Sequence, residues 1–208
     1  MENNGKKKDK RVPAAVRRKI ILDAASLTFV EYGFHGTKME TIAERADVTK
    51  PILYRHFPSK LSLLVAVIDQ AGADLIRAMS EPFPERMNWR AAIVKDLRAY
   101  LDFVENYRQG FNLLFSVGMS LDQEVSEHVA RIRAELVRIV ADHIRLFTDT
   151  SLISTEDIEM YAVVLVGMTE AASIYWINQE GLPRHACEQI LVRAVQSVMS
   201  NLPPRFRR

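Results

Sequence analysis

Residues 21–64 contain the pattern that decides the fold, ILDAASLTFVEYGFHGTKMETIAERADVTKPILYRHFPSKLSLL. Thr37 followed three residues later by Glu40 predicts a capping box, in which the Thr37 hydroxyl accepts from the Glu40 amide. This box opens a short helix over Thr37–Ala46. A second short helix is predicted over Thr49–Phe57, with a threonine cap and a proline in its first turn. Two short helices joined by a tight turn make a helix-turn-helix unit.

Periodic apolar residues extend this pattern on both sides into further helices. Ile21, Ala25 and Phe29 recur at helical spacing up to Gly33, which suits a helix C-terminus. A longer helix is predicted to start at Ser59, and a boundary with two prolines follows at 81–84. Later helices are predicted near 88–107, near 110–118, from a Ser120/Gln123 capping box to about 148, from Ser154 to about 179, and near 184–200.

Composition favours an all-α fold of about nine helices. Glycine and proline number only eight each in 208 residues, 48% of the residues are hydrophobic, and alternating runs of Val, Ile and Thr are missing. We expect a disordered basic tail at 1–12, a three-helix unit at 13–58 and a larger helical domain at 59–208.

Charge is distributed unevenly between these parts. Residues 1–60 hold 13 Lys/Arg against 7 Asp/Glu, whereas residues 61–208 hold 15 against 19. A small basic part beside a larger acidic part is typical of a protein that meets a polyanion with one end. A solubilising lysine-rich tail is the alternative explanation.

Several other classes of protein are disfavoured. A single cysteine, Cys187, argues against disulfides and cysteine-rich zinc sites. The polar N-terminus does not resemble a secretory signal and no run of 18 apolar residues occurs, so we expect a soluble, cytoplasmic protein. No glycine-rich phosphate loop or nucleophile elbow is present, so we expect neither an enzyme nor a cofactor. Glu124 and His128 share a helix face, but without a third ligand nearby they predict no metal site.

The helix-turn-helix suits recognition of a DNA duplex. The major groove is about 12 Å wide and admits one helix. A reader helix as short as Thr49–Phe57 enters it only when a second helix braces it across the backbone. The exposed face of the reader then contacts bases, and we expect these contacts from Thr49, Lys50, Ile52 and Arg55. An arginine or lysine pairs with guanine O6/N7, and an isoleucine meets a thymine methyl group.

The same segment resembles the DNA-binding domain of the tetracycline-repressor (TetR) family. The matching positions are Ala24, Ala25, Phe29, Gly33, Thr37, Ile42, Ala43, Ala46, Val48, Tyr54, His56, Phe57, Ser59, Lys60 and Leu64. Two positions depart from the family pattern. Asp47 stands where the turn usually has glycine, and aspartate tolerates the left-handed conformation at a small cost. Leu61 stands where an acidic residue is usual, which puts a contact with the helix dipole in doubt.

The resemblance implies roles for matching residues and for the C-terminal part. Residues that hold DNA phosphates in the family correspond to Thr37, Tyr54, His56 and Lys60. Such proteins bind palindromic double-stranded operators as homodimers, with the last two helices as the usual interface. Candidate interface residues here are Trp176, Ile190, Leu191, Ala194, Val195 and Val198; membership of the chain's own core is the alternative.

An aromatic-rich region is the candidate ligand pocket. In this family the middle helices enclose an apolar cavity, which implies a pocket at Tyr100, Phe103, Tyr107, Phe111, Leu114, Phe115, Met119 and Met168. The stretches FVENYRQGFNLLF and VLVGMTEAASIYW also resemble the acyl-CoA-sensing branch that regulates lipid metabolism. Core packing is the simpler reading of the aromatic residues.

We therefore predict a sequence-specific transcriptional regulator, a repressor, controlled by a small hydrophobic effector such as a long-chain acyl-CoA or a fatty acid. A sensor of hydrophobic drugs that controls efflux, a ligand-independent DNA-binding or architectural protein, and a regulator docked by a partner protein are the alternatives. A tightly filled interior would favour the ligand-independent protein over the sensor.

Overall fold

The computed structural model describes residues 13–107, 111 and 123–204. Within these residues the chain forms eight α-helices and no strand. The helices are α1 (Ala14–Gly36), α2 (Met39–Arg45), α3 (Lys50–His56), α4 (Lys60–Ser80), α5 (Trp89–Asn106), α6 (Gln123–Phe147), α7 (Thr155–Ile177) and α8 (Arg184–Met199).

These bounds confirm the all-α fold and most predicted helix ends. The starts of α5 and α7 are each set by a side-chain cap, because Asn88 accepts from the Ala91 amide at 3.0 Å and Ser154 accepts from the Asp157 amide at 3.0 Å. The tail at 1–12, the helix near 110–118 apart from Phe111, and Ser120 of the predicted capping box lie outside the described residues.

The chain divides into two compact units, Met1–Leu64 and Val65–Arg208. The division predicted between residues 58 and 59 assigns all of α4 to the second domain, whereas the two units share this helix. Ser59 and Ser62 set its start by reciprocal bonds, each hydroxyl oxygen accepting from the other residue's amide at 3.0–3.1 Å. This cap serves a helix with no acidic residue in its first turn.

The first unit is built around a small apolar core to which every helix contributes. Its buried side chains include Ile21, Phe29, Ile42, Leu53, Phe57 and Leu63. Gly33 interrupts α1 with a φ of 67°, a conformation that glycine adopts without a Cβ penalty. This break turns the chain from α1 towards α2.

The capping box predicted at Thr37 and Glu40 is wrong. Lys38 occupies the N-cap of α2 and makes no side-chain cap bond. The Thr37 hydroxyl instead donates to the carbonyl of Gly33 at 2.6 Å, with that of Thr28 at 3.2 Å. The Gly33 break exposes a carbonyl that competes successfully for this hydroxyl. A capping-box pattern does not show whether another carbonyl accepts from the capping hydroxyl.

The turn between α2 and α3 depends on Asp47, which has a φ of 51°. This confirms the left-handed conformation expected at a position where glycine is usual. We expect Asp47→Ala to lower the free energy of unfolding by about 1 kcal/mol, because alanine lacks the local bonding that eases this conformation. Asp47→Gly should be neutral or slightly stabilising. Thermal denaturation of both variants tests this, and equal destabilisation by alanine and glycine would contradict it.

The second unit has its own core, formed where α5, α6, α7 and α8 pack together. Leu101, Ile144, Ile158 and Leu191 are almost completely buried in it. At the N-terminus of α8, Arg184 makes ion pairs with Asp102 and Glu105 of α5. These ion pairs join α8 to α5, two of the helices that line the cavity described below.

One helix among the described residues, α7, is long and apolar enough to cross a membrane by length and composition. This is weak evidence, because a core helix of a soluble protein passes the same test. Of its most apolar 18-residue window, 39% is buried within the chain. The exposed large apolar side chains of this helix are Met160, Val163, Val164 and Tyr175.

Candidate nucleic-acid interface and ligand cavity

Helix α3 presents a polar face to solvent and an apolar face to the first unit's core. Leu53 and Phe57 anchor it, being 0% and 2% exposed. Between these anchors the helix displays Tyr54, which is 45% exposed, and Arg55. The predicted base-reading residues therefore share the accessible side, with Thr49, Lys50 and Arg55 exposed and Ile52 half-buried.

An ion pair links the two helices of the motif. Lys50 Nζ of α3 lies 2.8 Å from Glu40 Oε1 of α2. This hydrogen bond lowers the pKa of the Glu40 carboxyl and raises the pKa of the Lys50 amine. Both groups face water, where such pairs contribute little to stability. Lys50 keeps two further N–H donors while it bonds Glu40, so this pair does not use all of its hydrogen-bonding capacity.

His56 lies at the C-terminal end of α3, half-buried beside Phe57. Partial burial lowers the pKa of its imidazole, and the positive charges of Arg55, Arg17 and Arg18 lower it further. At neutral pH the ring is therefore an uncharged donor that can bond a phosphate without adding charge.

Thr37 is placed differently from the sequence prediction. It is 2% exposed, and both its amide and its hydroxyl donate to Gly33 O. A buried hydroxyl with an internal acceptor is not presented to a phosphate, so we correct the assignment of its side chain. Thr37 instead holds the junction of α1 and α2.

Lys60 makes structural contacts that the sequence analysis missed. Its ammonium donates to the carbonyls of Thr37 at 2.9 Å and His35 at 3.3 Å, and lies 4.6 Å from the centre of the Phe34 ring. An ammonium has three N–H donors, so these two bonds leave one for a phosphate. Lys60 thereby connects the start of α4 to the α1–α2 junction.

Two further basic residues lie near the reader helix. Arg17 and Arg18 act electrostatically on His56, and the Arg18 guanidinium lies 4.5 Å from the centre of the Phe57 ring. The sequence analysis named neither as a DNA contact. The only sequence signal was a pair of adjacent arginines at the start of a helix, since their proximity to α3 is a tertiary feature.

The second unit contains a largely apolar cavity of about 90 Å³. Each of the five helices that the structure describes in this unit lines it, through residues such as Met79 of α4, Trp89 of α5, Phe147 of α6, Val166 of α7 and Val195 of α8. Sites for drug-sized ligands enclose about 300–1,000 Å³. The cavity thus admits a small molecule or one end of a longer one.

Only part of the predicted ligand pocket coincides with this cavity. Tyr100 lines it, and burial raises the pKa of its phenol. Phe103, Tyr107 and Phe111 pack instead in an aromatic cluster, in which the ring centre of Phe103 lies 5.2 Å from that of Tyr107 and 6.2 Å from that of Phe111. Met168 packs against the core without lining the cavity, and Leu114, Phe115 and Met119 lie outside the described residues.

Two polar residues on the cavity wall were missed by the sequence analysis. Asp96 of α5 and His143 of α6 face each other, with His143 Nδ1 2.7 Å from Asp96 Oδ2. Residues 47 positions apart carry no sequence signal of their proximity.

The helix face shared by Glu124 and His128, for which no metal site was predicted, contacts α4. His128 Nδ1 lies 2.7 Å from Asp69 Oδ1, on α4. Among the residues that the structure describes, no group of three His, Cys, Asp or Glu side chains could hold a metal ion. Cys187 is buried in the core, which raises the pKa of its thiol.

Half of the predicted dimer residues lie in the core of their own chain. Trp176, Leu191 and Val195 are 5%, 1% and 6% exposed, so we correct their assignment. Ile190 is 56% exposed, and Ala194 and Val198 are half-buried. An apolar periodicity marks a buried face, but it does not distinguish burial in the core from burial by a partner.

Two family models match the chain in order. Residues 21–67 match the model of bacterial regulatory proteins of the tetR family, and residues 90–198 match that of a tetracyclin repressor-like C-terminal domain. The first match contains α2 and α3, and the second contains most of the cavity wall.

Known relatives agree with these matches. The HTH-type transcriptional activator FasR of Mycolicibacterium smegmatis is 31% identical over 176 residues, covering 85% of this chain and 79% of FasR. The HTH-type transcriptional regulator RutR of Escherichia coli is 40% identical over 99 residues, covering 48% and 46%. A tetR-family regulator from Streptomyces coelicolor has the same fold, with a TM-score of 0.77 at 22% identity over 91% of this chain and 83% of its own.

Regulators of this kind are not enzymes; they bind operator DNA and function as dimers with small-molecule effectors. A buried helix-turn-helix core with an exposed reader face agrees with that activity. The two family models together cover most of the chain, and FasR matches it over most of the length of both proteins. These matches assign the chain to a family. The chain belongs to the TetR family and is a DNA-binding transcriptional regulator.

Proposed function

We propose that this regulator binds a palindromic operator as a homodimer and that a small hydrophobic effector in the cavity of the second unit controls that binding. The exposed face of α3 carries the proposal for DNA, because four potential base contacts lie on a helix that Leu53 and Phe57 anchor. Tyr54, His56 and Lys60 are the proposed phosphate contacts, with Arg17 and Arg18 added from the structure.

The dimer interface is proposed to use the exposed apolar side of α7 with Ile190 of α8. Met160, Val163, Val164 and Tyr175 follow helical spacing and are 48–64% exposed. Apolar side chains in such a row destabilise a monomer in water and are stabilised when a second helix covers them. Reading two half-sites from one twofold dimer then supplies the affinity that a seven-residue α3 lacks.

Effector control is proposed to act through α4. This helix carries Met79 on the cavity wall near one end and Lys60, bonded to the Thr37 carbonyl, at the other. An effector changes operator affinity only if it binds two conformations unequally, with a typical coupling of about 1–3 kcal/mol. The cavity supports a sensor over a ligand-independent protein, since native interiors otherwise fill such space.

Repression remains a prediction. FasR is described as an activator, and the sign of regulation depends on where the operator lies relative to the promoter, which is a property of the DNA. The proposed site of action is the cytoplasm, where operator DNA is accessible.

Selection of bound duplexes from a random pool tests the proposal, repeated with lipid extract present. We expect one palindromic consensus, and altered retention with the extract. Sedimentation of the protein alone should show a dimer that Val163→Glu dissociates, whereas Ala130→Glu, which adds the same charge at an exposed position of α6 outside the proposed interface, should leave the dimer intact. A monomer without sequence preference at moderate salt would refute the proposal.

Lys60 has two proposed roles, one in stability and one in DNA binding. Two measurements on one variant separate them. Lys60→Ala should lower stability by about 1 kcal/mol through loss of its carbonyl bonds. It should also reduce the slope of log affinity against log salt by about one unit, through loss of one phosphate contact. Fluorescence anisotropy at several salt concentrations, with thermal denaturation, measures both effects.

The matched control is Lys95→Ala. Lys95 of α5 also donates to a carbonyl, that of Glu81 at 3.0 Å, and lies 5.0 Å from the centre of the Phe83 ring. This variant should lose stability with an unchanged salt slope. If Lys60→Ala behaves in the same way, Lys60 has only the structural role.

A further inference from the structure

One polar pair interrupts the apolar wall of the cavity. Asp96 and His143 both line it and are joined through Asp96 Oδ2 at 2.7 Å. The second carboxylate oxygen, Asp96 Oδ1, is buried and has no hydrogen-bond partner among the residues that the structure describes. His143 is held in place from the other side by the ring of Phe83, whose centre lies 4.5 Å away.

A buried carboxylate oxygen without a donor destabilises a folded protein, because it has lost its hydrogen bonds to water and has formed none within the protein. The pair makes the second unit no more stable than two apolar side chains of the same shape would. A ligand that supplies the missing donor removes this penalty when it binds. Asp96 is one of the residues that line the cavity, and this is what brings its carboxylate next to a ligand bound there.

We propose that Asp96 Oδ1 accepts a hydrogen bond from the effector, so that the effector is an apolar molecule bearing one O–H or N–H donor. The inference rests on the proposed function, in which the effector occupies this cavity. A free carboxylate is excluded from the Asp96 end, since it offers only acceptors and a like charge. Asp96 is thus a specificity-determining residue, and His143 positions its carboxylate.

Three six-carbon probes test this chemistry on the full-length protein: 1-hexanol, its isomer methyl pentyl ether, and hexanoate. Binding is followed by the NMR signal of the Trp89 indole N–H, because Trp89 lines the cavity. In a purely apolar cavity the ether binds better than the alcohol, whose hydroxyl is costlier to dehydrate. With Asp96 as acceptor, we expect 1-hexanol to bind about tenfold more tightly than the ether, with hexanoate weakest.

The control is the double variant Asp96→Leu with His143→Phe, which replaces the pair by apolar groups of similar shape. It should bind all three probes in the order of a purely apolar cavity, with the ether ahead of 1-hexanol. Helical circular dichroism checks that the variant folds, and the order of the three probes on the unmodified protein tests the proposal independently of that variant.

The outcomes separate the two proposals. Tighter binding of 1-hexanol that the double variant reverses supports the donor requirement. If the probes bind but the ether equals or exceeds 1-hexanol, or hexanoate binds best, the donor requirement is overturned while the effector cavity stands. If no probe shifts the Trp89 signal at saturating concentrations, the effector cavity itself is refuted, and the donor requirement with it.

Discussion

Replacement of Arg55 by alanine is expected to weaken binding to the cognate operator by roughly 5- to 150-fold, equivalent to about 1–3 kcal/mol. Arg55 is exposed on α3 between two anchoring residues, Leu53 and Phe57. The planar guanidinium of an arginine has the geometry to donate two parallel hydrogen bonds to O6 and N7 of a guanine, a pair of acceptors that only a guanine presents in the major groove. Lys50 is the weaker candidate because Glu40 already holds its ammonium.

Two variants separate base reading by Arg55 from simple attraction to DNA. Arg55→Lys keeps the charge but loses the planar guanidinium, so it should bind random DNA normally and the cognate operator poorly. Arg77→Ala removes one exposed positive charge from α4 outside the first unit and should change little. Competition binding against operators with single substitutions measures the preference. An equal loss by Arg55→Ala on cognate and random DNA would mark Arg55 as a phosphate contact.

Replacement of Gly72 by alanine is expected to destabilise the second unit by about 1–3 kcal/mol, before a helix-propensity gain of about 1 kcal/mol is subtracted. A Cβ at Gly72 of α4 would lie 2.5 Å from Cδ1 and 2.7 Å from Cγ1 of Ile132 on α6. Carbon atoms do not approach so closely, so α4 and α6 must separate or Ile132 must leave its rotamer. The effect is measured by chemical denaturation.

A double-mutant cycle isolates this contact. Ile132→Ala removes the atoms that obstruct the new methyl group, so Gly72→Ala should cost less in that background. Additive losses in the two single variants would show that the overlap at Gly72 is not what destabilises the protein. Because α4 also carries Lys60, the same cycle measured on operator affinity reports whether the α4–α6 contact influences DNA binding.

Local features of the fold could be predicted from the sequence because they depend on neighbouring residues. Asn88 and Ser154 mark helix starts, and Asp47 adopts a left-handed turn, through interactions within three residues of themselves. The exposed face of α3 was expected to carry Lys50 and Arg55, and both side chains are exposed. The capping box at Thr37 failed although it too is a local pattern, because the Gly33 carbonyl competed for the hydroxyl.

Features that depend on contacts across the chain could not be predicted in this way. Apolar spacing marked Trp176 and Leu191 as buried, but only packing decided that their own chain buries them. The number of aromatic residues favoured a ligand pocket at Phe103 and Phe111. These two rings pack in the core, and the cavity lies beside Tyr100.

Local residue patterns were enough to predict an all-helical chain with a short helix over Thr49–Phe57, observed at Lys50–His56, because helix periodicity and turn chemistry are encoded over a few positions. Where space is left inside the second unit, and which groups line it, follows only from the packing of the helices. The meeting of Asp96 with His143 depends on how two helices pack, and packing is a property of the whole set of side chains.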